Sequence, residues 1–188
     1  NDHVLDKFPT IANPEIAVEC HPGWIMEQGW VQLVKSGFNR LSIGVQDFNK
    51  EVLRGVNRQS SRIPMEDVME ILRSLDVRVN MDFLYGLPFQ TEESFAPDDR
   101  KSRCHETGPA RHLLVCACAW AFPRQAQILE KEGLPIGRRE EPDVRNSHRI
   151  LCEADYQPIG LDHFVRKDDE LYTASQNGQL HRNFQGYC

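Results

Sequence analysis

Apolar positions follow two different periods over the first 96 residues of the chain. Runs in which apolar residues alternate or stand together are typical of strands, and apolar residues every three or four positions are typical of helices. Asn49 is predicted to cap a helix, and Pro64 stands where another begins. The pattern predicts strands over residues 16–19, 39–45 and 77–85 and helices over residues 24–36, 50–56 and 65–75. This alternation with short loops predicts a parallel α/β sheet or barrel.

Polar residues follow the predicted strands at the point where each strand ends. Glu19, Gln46 and Asp82 lie at or near the carboxyl ends of three successive strands. In parallel α/β folds these ends meet at one edge, where ligands bind. The three residues therefore predict a shared site, although strand ends are also often polar because loops begin there.

The pattern changes at Pro97. Residues 97–110 have no apolar period, and residues 112–121 form an unpatterned stretch rich in Cys, Ala and Trp. Beyond them, the pattern predicts helices over residues 122–132 and 150–154 and a strand over residues 156–161.

The composition is that of one globular domain. The chain has 188 residues, of which 40% are hydrophobic and 27% charged, which is enough for a core. Its formal net charge of −6 argues against a nucleic-acid partner, because an acidic chain gains nothing from counterion release. No apolar run is long enough to predict a membrane span, and the mixed charged and apolar residues 1–10 do not predict a signal peptide. Six scattered cysteines favour reduced thiols and a cytoplasmic location.

Cysteine and histidine spacing gives only a weak metal signal. Cys116 and Cys118 form a C-x-C pair, with Cys104, His105 and His112 nearby. These spacings match none of the usual zinc patterns, so no metal site is predicted within this chain.

Residues 162–188 are dense in side chains that bind anions. The cationic or titratable ones are His163, Arg166, Lys167, His181 and Arg182, and aromatic residues stand between them. Guanidinium and imidazole groups beside aromatic rings suit a planar ligand that bears carboxylates. The alternative is a solvated loop in which these cations pair with Asp162, Asp168, Asp169 and Glu170.

Four segments of the chain resemble one family. They are IAVECHP, which contains Glu19, GFNRLSIGVQDFNKEVLRGVNR (residues 37–58), NMDFLYGLPFQTEESF (residues 80–95) and IGLDHFVRKDDELYTASQNGQLHRNFQGY (residues 159–187). Over residues 14–96 and 149–187 the chain resembles the radical S-adenosylmethionine enzymes of the oxygen-independent coproporphyrinogen III oxidase group. The last segment resembles the oxidases themselves rather than the related haem-chaperone branch.

The resemblance implies a fold and a reaction. The fold is a partial (β/α) barrel over residues 1–161, incomplete in this chain, and residues 162–188 begin a C-terminal region associated with the substrate. In the family a [4Fe-4S] cluster, held by three cysteines and reduced by an electron donor, cleaves S-adenosylmethionine. The radical so formed abstracts hydrogen from propionate side chains of coproporphyrinogen III. Loss of CO₂ then leaves the vinyl groups of protoporphyrinogen IX.

The resemblance also implies binding residues, since the family binds two S-adenosylmethionine molecules. By motif position, Glu19 matches a ligand of the first molecule, and Gln46, Arg58 and Asp82 match ligands of the second. A carboxylate and an amide suit the ammonium and ribose hydroxyls of the cofactor, and a guanidinium suits its carboxylate. For the propionates of the substrate, the expected ligands are His163, Arg166 and Arg182.

Two departures from the family change the expectation. The C-x-x-x-C-x-x-C cluster motif is absent from this sequence, so the chain is expected to be a fragment without cluster ligands and inactive alone. Residues 97–121 and 136–148 keep the family's length but lose its residues, including an aromatic-Ala-His strand. Without that inner strand the sheet would be poorly closed. A haem-binding or haem-trafficking protein of the same superfamily and a nonfunctional remnant stay open as alternatives.

Overall fold

The computed structural model describes residues 7, 12–85, 87–90, 110–116, 148–149, 151–160 and 163–181, with only the backbone described for Tyr85 and 110–116. The strands are β1 (Ala17–Cys20), β2 (Arg40–Gln46), β3 (Arg78–Tyr85), β4 (Ala110–Cys116), β5 (Tyr156–Gly160) and β6 (His163–Arg166). The helices are α1 (Glu27–Lys35), α2 (Lys50–Gly55), α3 (Met65–Ser74) and α4 (Glu170–Gln176), and a 3-10 turn covers Pro22–Trp24.

The strands form one sheet in the order β1-β2-β3-β4-β6-β5. Neighbouring strands from β1 to β4 are parallel, whereas β6 runs antiparallel to both β4 and β5. Helices stand between the first three strands, as the alternating periods predicted. The α/β class with a parallel sheet is therefore confirmed.

The two faces of the parallel strands differ in chemistry. The helix face carries Leu41, Ile43 and Met81, which are fully buried in one core with side chains of α1 and α3. The opposite face, called the polar face below, carries Glu19 and Ser42 on β1 and β2 and Asn80 and Asp82 on β3, with Gly44 between them. Strand side chains alternate between faces, so one apolar set fixes the register of the sheet.

The predicted helices form with small changes at their ends. Asn49 caps α2, where its side chain accepts a hydrogen bond of 2.9 Å from the Glu51 N–H. Pro64 directly precedes α3. The first helix begins at Glu27 rather than Trp24, because Pro22 and Gly23 are buried in the separate 3-10 turn.

The prediction that an inner strand is missing is wrong. Residues Ala110–Cys116 form β4, which pairs with β3 over seven register positions and with β6 on its other side. Backbone hydrogen bonds hold such a strand in place, so the loss of the family's residues there does not remove it. The predicted helix at 122–132 and most of the divergent segments 97–121 and 136–148 lie outside the described residues.

Salt bridges join the amino ends of β2 and β3 to the C-terminal part of the chain. Arg40 contacts Glu15 at 2.7 Å and Glu170 at 3.3 Å, and Arg78 contacts the same two carboxylates at 3.6 and 2.9 Å. Glu170 begins α4, whose Leu171 packs with residues of β5 and β6 in a second, small core. These four residues, called the lower charge network below, thus join segments far apart in sequence.

Among the described residues, none of the helices combines the length and the apolar character that crossing a membrane requires.

Candidate functional site

The polar face is organised in rows set by the strand register. Glu19 lies beside Ser42 and Ser42 beside Asn80, which makes one row across β1, β2 and β3. Two positions nearer the carboxyl ends, Gly44 lies beside Asp82. Since glycine has no side chain, other groups can approach β2 beside Asp82, and Arg58 and Gln46 do so.

Asp82 is held by two neighbours in the row below it. The Asn80 amide donates to Oδ1 at 2.8 Å, and the Ser42 hydroxyl donates to Oδ2 at 3.2 Å. Burial raises the pKa of Asp82, the hydrogen bonds from Ser42 and Asn80 lower it, the charge of Glu19 raises it and that of Arg58 lowers it. The net effect is a raised pKa, so the charge state of this carboxyl depends on its neighbours.

Arg58 reaches the polar face from the segment after α2. Its backbone N–H donates to the Leu53 carbonyl at 2.8 Å, and its Nη2 donates to the Gly44 carbonyl at 2.8 Å. Burial lowers the pKa of Arg58 and the Asp82 charge raises it, which still leaves a guanidinium charged at neutral pH. A Cβ added at Gly44 would lie 2.5 Å from Nη2 of Arg58, so glycine is needed for this approach.

Gln46 ends β2 in an unusual backbone conformation. Its φ is 67°, in the left-handed region, and the register between β2 and β3 shifts at this point. Such backbone strain persists where surrounding contacts hold it, often at functional sites. The Gln46 amide lies 3.0 Å from the place a Gly44 Cβ would take, which puts it next to Arg58.

The loop after β3 is tied to the same end of the sheet. Gln90 donates from Nε2 to Asp47 Oδ2 at 2.6 Å and to the Leu84 carbonyl at 2.9 Å. Asp47 itself is buried and accepts from the Asn49 N–H at 2.6 Å. These bonds fix the ends of β2 and β3 relative to one another, and therefore the positions of Gln46 and Asp82.

His21 adjoins the site although its sequence position gave no sign of a role. Its Nδ1 accepts from the Gly23 N–H at 3.0 Å, and its ring stacks on the exposed ring of Trp24 at 4.8 Å. Burial and the charge of Arg58 lower the pKa of His21, against a smaller opposite effect of its backbone hydrogen bond. The lowered pKa favours the neutral imidazole, and in that form the bond accepted from Gly23 places the ring proton on Nε2.

The structure brings all four predicted cofactor residues together. Glu19 and Arg58 both act on the charge of Asp82, and Gln46 adjoins Arg58 at Gly44. Sequence reasoning missed Ser42, Asn80 and His21. Ser42 and Asn80 could have been found from the alternation of side chains along β2 and β3, because both residues occupy the same face as Asp82.

A cavity of about 420 Å³ opens beside this site, on the segment after α2. Residues such as Asp47, Phe48 and Ser61 line it, whereas none of the four predicted cofactor residues does so. The convergence of charged groups, rather than this cavity, therefore defines the candidate site.

The predicted substrate residues of the tail separate into different places. His163 lies beside Leu113 of β4, which lies beside Asp82, so His163 shares the register row of Asp82. Arg166 contacts Asp168 at 3.4 Å, and Lys167 contacts Asp155 at 3.9 Å. The Arg166–Asp168 contact is the one expected if Arg166 holds the loop rather than binding the substrate. Arg182 lies outside the described residues.

Thiol groups in the described part of the chain do not suit an iron–sulfur cluster. Cys20 is buried in the helix-side core, and burial raises the pKa of its thiol to about 11. No group of three or more potential metal ligands occurs among the described side chains. Cys104, His105 and Cys118 of the weak zinc pattern lie outside them, and His112 and Cys116 are described by backbone alone.

A parallel α/β sheet with charges converging near the carboxyl ends of its strands is typical of the barrel-related α/β class, in which ligands bind at those ends. Comparison with known proteins identifies the family more closely. The model of the radical SAM superfamily matches residues 3–100. An oxygen-independent coproporphyrinogen III oxidase of Escherichia coli is 40% identical over 186 residues, 97% of this chain and 40% of that protein. The protein of the same name from Synechocystis sp. is 36% identical over 187 residues, 98% of this chain and 40% of that protein.

A solved structure of coproporphyrinogen III oxidase from Escherichia coli, a radical SAM enzyme, gives a TM-score of 0.82 at 36% identity. The match covers 100% of this chain and 43% of the solved chain. The chain therefore belongs to the radical SAM superfamily, and the resemblance seen in its motifs is confirmed. It spans about two fifths of the length of these curated relatives. The superfamily's cofactors are S-adenosylmethionine and a [4Fe-4S] cluster, as the resemblance implied.

Proposed function

We propose that this chain is the S-adenosylmethionine-binding part of an oxygen-independent coproporphyrinogen III oxidase, which forms protoporphyrinogen IX in haem biosynthesis. The observation that supports the proposal is the convergence of Glu19, Gln46, Arg58 and Asp82 at the carboxyl edge of β1, β2 and β3. The similarity to oxidases from two bacteria indicates that the substrate is coproporphyrinogen III. No observation favours a haem-trafficking protein instead. An electron donor and a cytoplasmic location complete the proposal.

The charges of the site fit the charges of S-adenosylmethionine. Two carboxylates and one guanidinium face a ligand with a sulfonium, an ammonium and a carboxylate. Glu19 would bind the first cofactor molecule, and Gln46, Arg58 and Asp82 the second, with Arg58 on the carboxylate and Asp82 on an ammonium or ribose hydroxyl. The absence of a side chain at Gly44 lets the Arg58 guanidinium approach β2 beside Asp82. When bound, the first S-adenosylmethionine would supply the radical after one electron from a reduced [4Fe-4S] cluster cleaves it.

The described thiols do not fit the [4Fe-4S] cluster, which three cysteines hold in the family. The described side chains include two thiols, Cys20 and Cys152, and Cys20 is buried on the helix face with a raised pKa. We therefore assign no step of cluster chemistry to these residues. For the substrate, His163 is the predicted residue that stands on the row of Asp82, where its imidazole would face a propionate.

Binding of S-adenosylmethionine to the 188-residue chain tests the proposal directly. Asp82→Asn keeps the shape of the side chain but removes its charge, so a charge-assisted hydrogen bond is lost. We expect S-adenosylmethionine to bind about 10- to 100-fold more weakly at pH 8, measured by ligand-observed NMR, which detects weak binding. Arg58→Met is expected to weaken binding to a similar extent.

Asp76→Asn is the matched control, since Asp76 is exposed at the end of α3. Its affinity for S-adenosylmethionine should equal that of the unchanged chain. Equal binding by Asp82→Asn, with unchanged circular dichroism, would refute the assignment of the site.

A further inference from the structure

Three hydrogen bonds below Asp82 form a closed ring. Asn80 Nδ2 donates to Asp82 Oδ1 at 2.8 Å and to Ser42 Oγ at 3.0 Å. Because that amide nitrogen has two hydrogens, both are used. The Ser42 hydroxyl accepts one of them and donates its own hydrogen to Asp82 Oδ2 at 3.2 Å.

In this ring both neighbours donate to the carboxyl group, and an ionised Asp82 accepts both bonds. A protonated Asp82 would have to reverse its bond with Ser42, whose hydroxyl hydrogen would then need another acceptor. The two bonds also fix the plane of the carboxylate, since each oxygen has its own donor. Gly44 has no side chain at this level of β2, and the Arg58 guanidinium approaches the strand there instead.

We propose that Ser42 and Asn80 are positioning residues that hold Asp82 as an oriented carboxylate for a cationic or hydroxyl group of S-adenosylmethionine. The inference rests on the proposed function and adds the source of the charge and orientation of Asp82. Without the two donors, burial and the nearby Glu19 favour the neutral acid, which cannot make a charge-assisted bond.

Charged groups reach Asp82 from several elements. Glu19 acts from β1 and Arg58 from the segment after α2, and both lie within its electrostatic reach. His21 titrates beside Arg58, and Arg111 of β4 occupies the register position beside Asn80. A pH profile therefore has to be compared between variants that differ only in the donors to Asp82.

The test is the pH dependence of S-adenosylmethionine binding to the 188-residue chain. Asn80→Leu removes both amide donors at similar size, and Ser42→Ala removes the hydroxyl. Asp82 must lose its proton to bind, and the donors favour that loss, so weakening should be larger at low pH. We expect Asn80→Leu to bind about tenfold or more weakly at pH 6 and at most about threefold at pH 8. Ser42→Ala should show a smaller difference of the same sign.

Ser74→Ala serves as the control for Ser42→Ala, because Ser74 bonds only the nearby Ile71 carbonyl on the surface of α3 among its described contacts. Its profile should match that of the unchanged chain. A loss in Asn80→Leu or Ser42→Ala that is equal at both pH values would indicate a structural role and overturn the inference, as would no loss. If Asp82→Asn itself binds normally, the proposed function fails instead. Ser42→Ala keeps the test available if Asn80→Leu does not fold.

Discussion

At the scale of single residues, the site depends on Gly44 having no side chain. Gly44 lets Arg58 reach its carbonyl, and a Cβ there would lie 2.5 Å from Nη2 of Arg58 and 3.0 Å from Nε2 of Gln46. The Arg58 head group is flexible enough to swing aside, so Gly44→Ala should fold. It should nevertheless displace the guanidinium and weaken S-adenosylmethionine binding about tenfold, measured by the same NMR titration.

Gly29→Ala is the matched control for Gly44→Ala. An added Cβ at Gly29 meets only a methyl group of Ile25, and alanine favours a helix such as α1. Its binding should be unchanged. In an Arg58→Met background, Gly44→Ala should add little further loss. A full additional loss there would show that glycine acts on the ligand by a route other than Arg58.

The sequence could predict part of the site at this scale. Glu19 and Gln46 follow from the ends of apolar strands, because the fold places those ends together. Asp82 lies at the fifth of the eight positions of β3, on the register row of Gly44. Arg58 follows no strand, and its place at the site depends on a hydrogen bond to a carbonyl 14 residues away. Only the resemblance to a family indicated it. The ring of Ser42 and Asn80 required the register between β2 and β3, which the pattern of one strand does not define.

At the scale of elements, the short helix α2 positions Arg58. The Arg58 N–H donates to the Leu53 carbonyl in this helix, and Val52 and Leu53 anchor it in the protein. A helix of six residues depends strongly on its cap, since few of its backbone groups bond within it. Loosening its start should therefore reach the candidate site.

Asn49→Ala removes the side-chain cap of α2. We expect it to lower the free energy of unfolding by about 1 kcal/mol, measured by urea denaturation, and to weaken S-adenosylmethionine binding as Arg58 becomes less ordered. Asn49→Asp keeps an acceptor for the Glu51 N–H and should stay close to the unchanged chain in both measurements. Equal losses in the two variants would contradict the capping role.

The elements that sequence patterns missed are those that depend on partners. β4 lies between β3 and β6, and β6 lies between β4 and β5, so each takes backbone hydrogen bonds from both sides. Their own residues show no clear period, and β6 has only four. Pairing with neighbours overrides weak local preference in such strands. By contrast, β2 and α3 show clear periods, and their predicted bounds are within one residue of the observed ones.

At the scale of the whole molecule, the polar face of β2 and β3 bears charge at both of its ends. The candidate site occupies the carboxyl end, and the lower charge network of Glu15, Arg40, Arg78 and Glu170 occupies the amino end. Two and four positions separate Arg40 from Ser42 and Gly44 along β2. The network fixes α4 against the parallel strands, while the opposite end stays available to a ligand.

Exposure distinguishes the members of this network. The Arg40 side chain is only 10% exposed, whereas those of Glu15 and Glu170 are 49% and 56% exposed. Removing either carboxylate leaves Arg40 with the other, so Glu15→Gln and Glu170→Gln should each cost at most about 1 kcal/mol of stability. The double variant removes both carboxylates described beside the Arg40 guanidinium, and each carboxylate removed raises the cost of burying that charge.

The double variant Glu15→Gln/Glu170→Gln should therefore lose more stability than the two single losses added together, by about 1 kcal/mol or more. Urea denaturation of the four proteins in this cycle measures the excess. In an Arg40→Met background the same cycle should become nearly additive, because the exposed Arg78 stays in water with or without its acids. Additive losses with Arg40 present would mean that the two carboxylates stabilise the protein independently of one another. α4 would then be held mainly by the apolar contacts of Leu171 with β5 and β6.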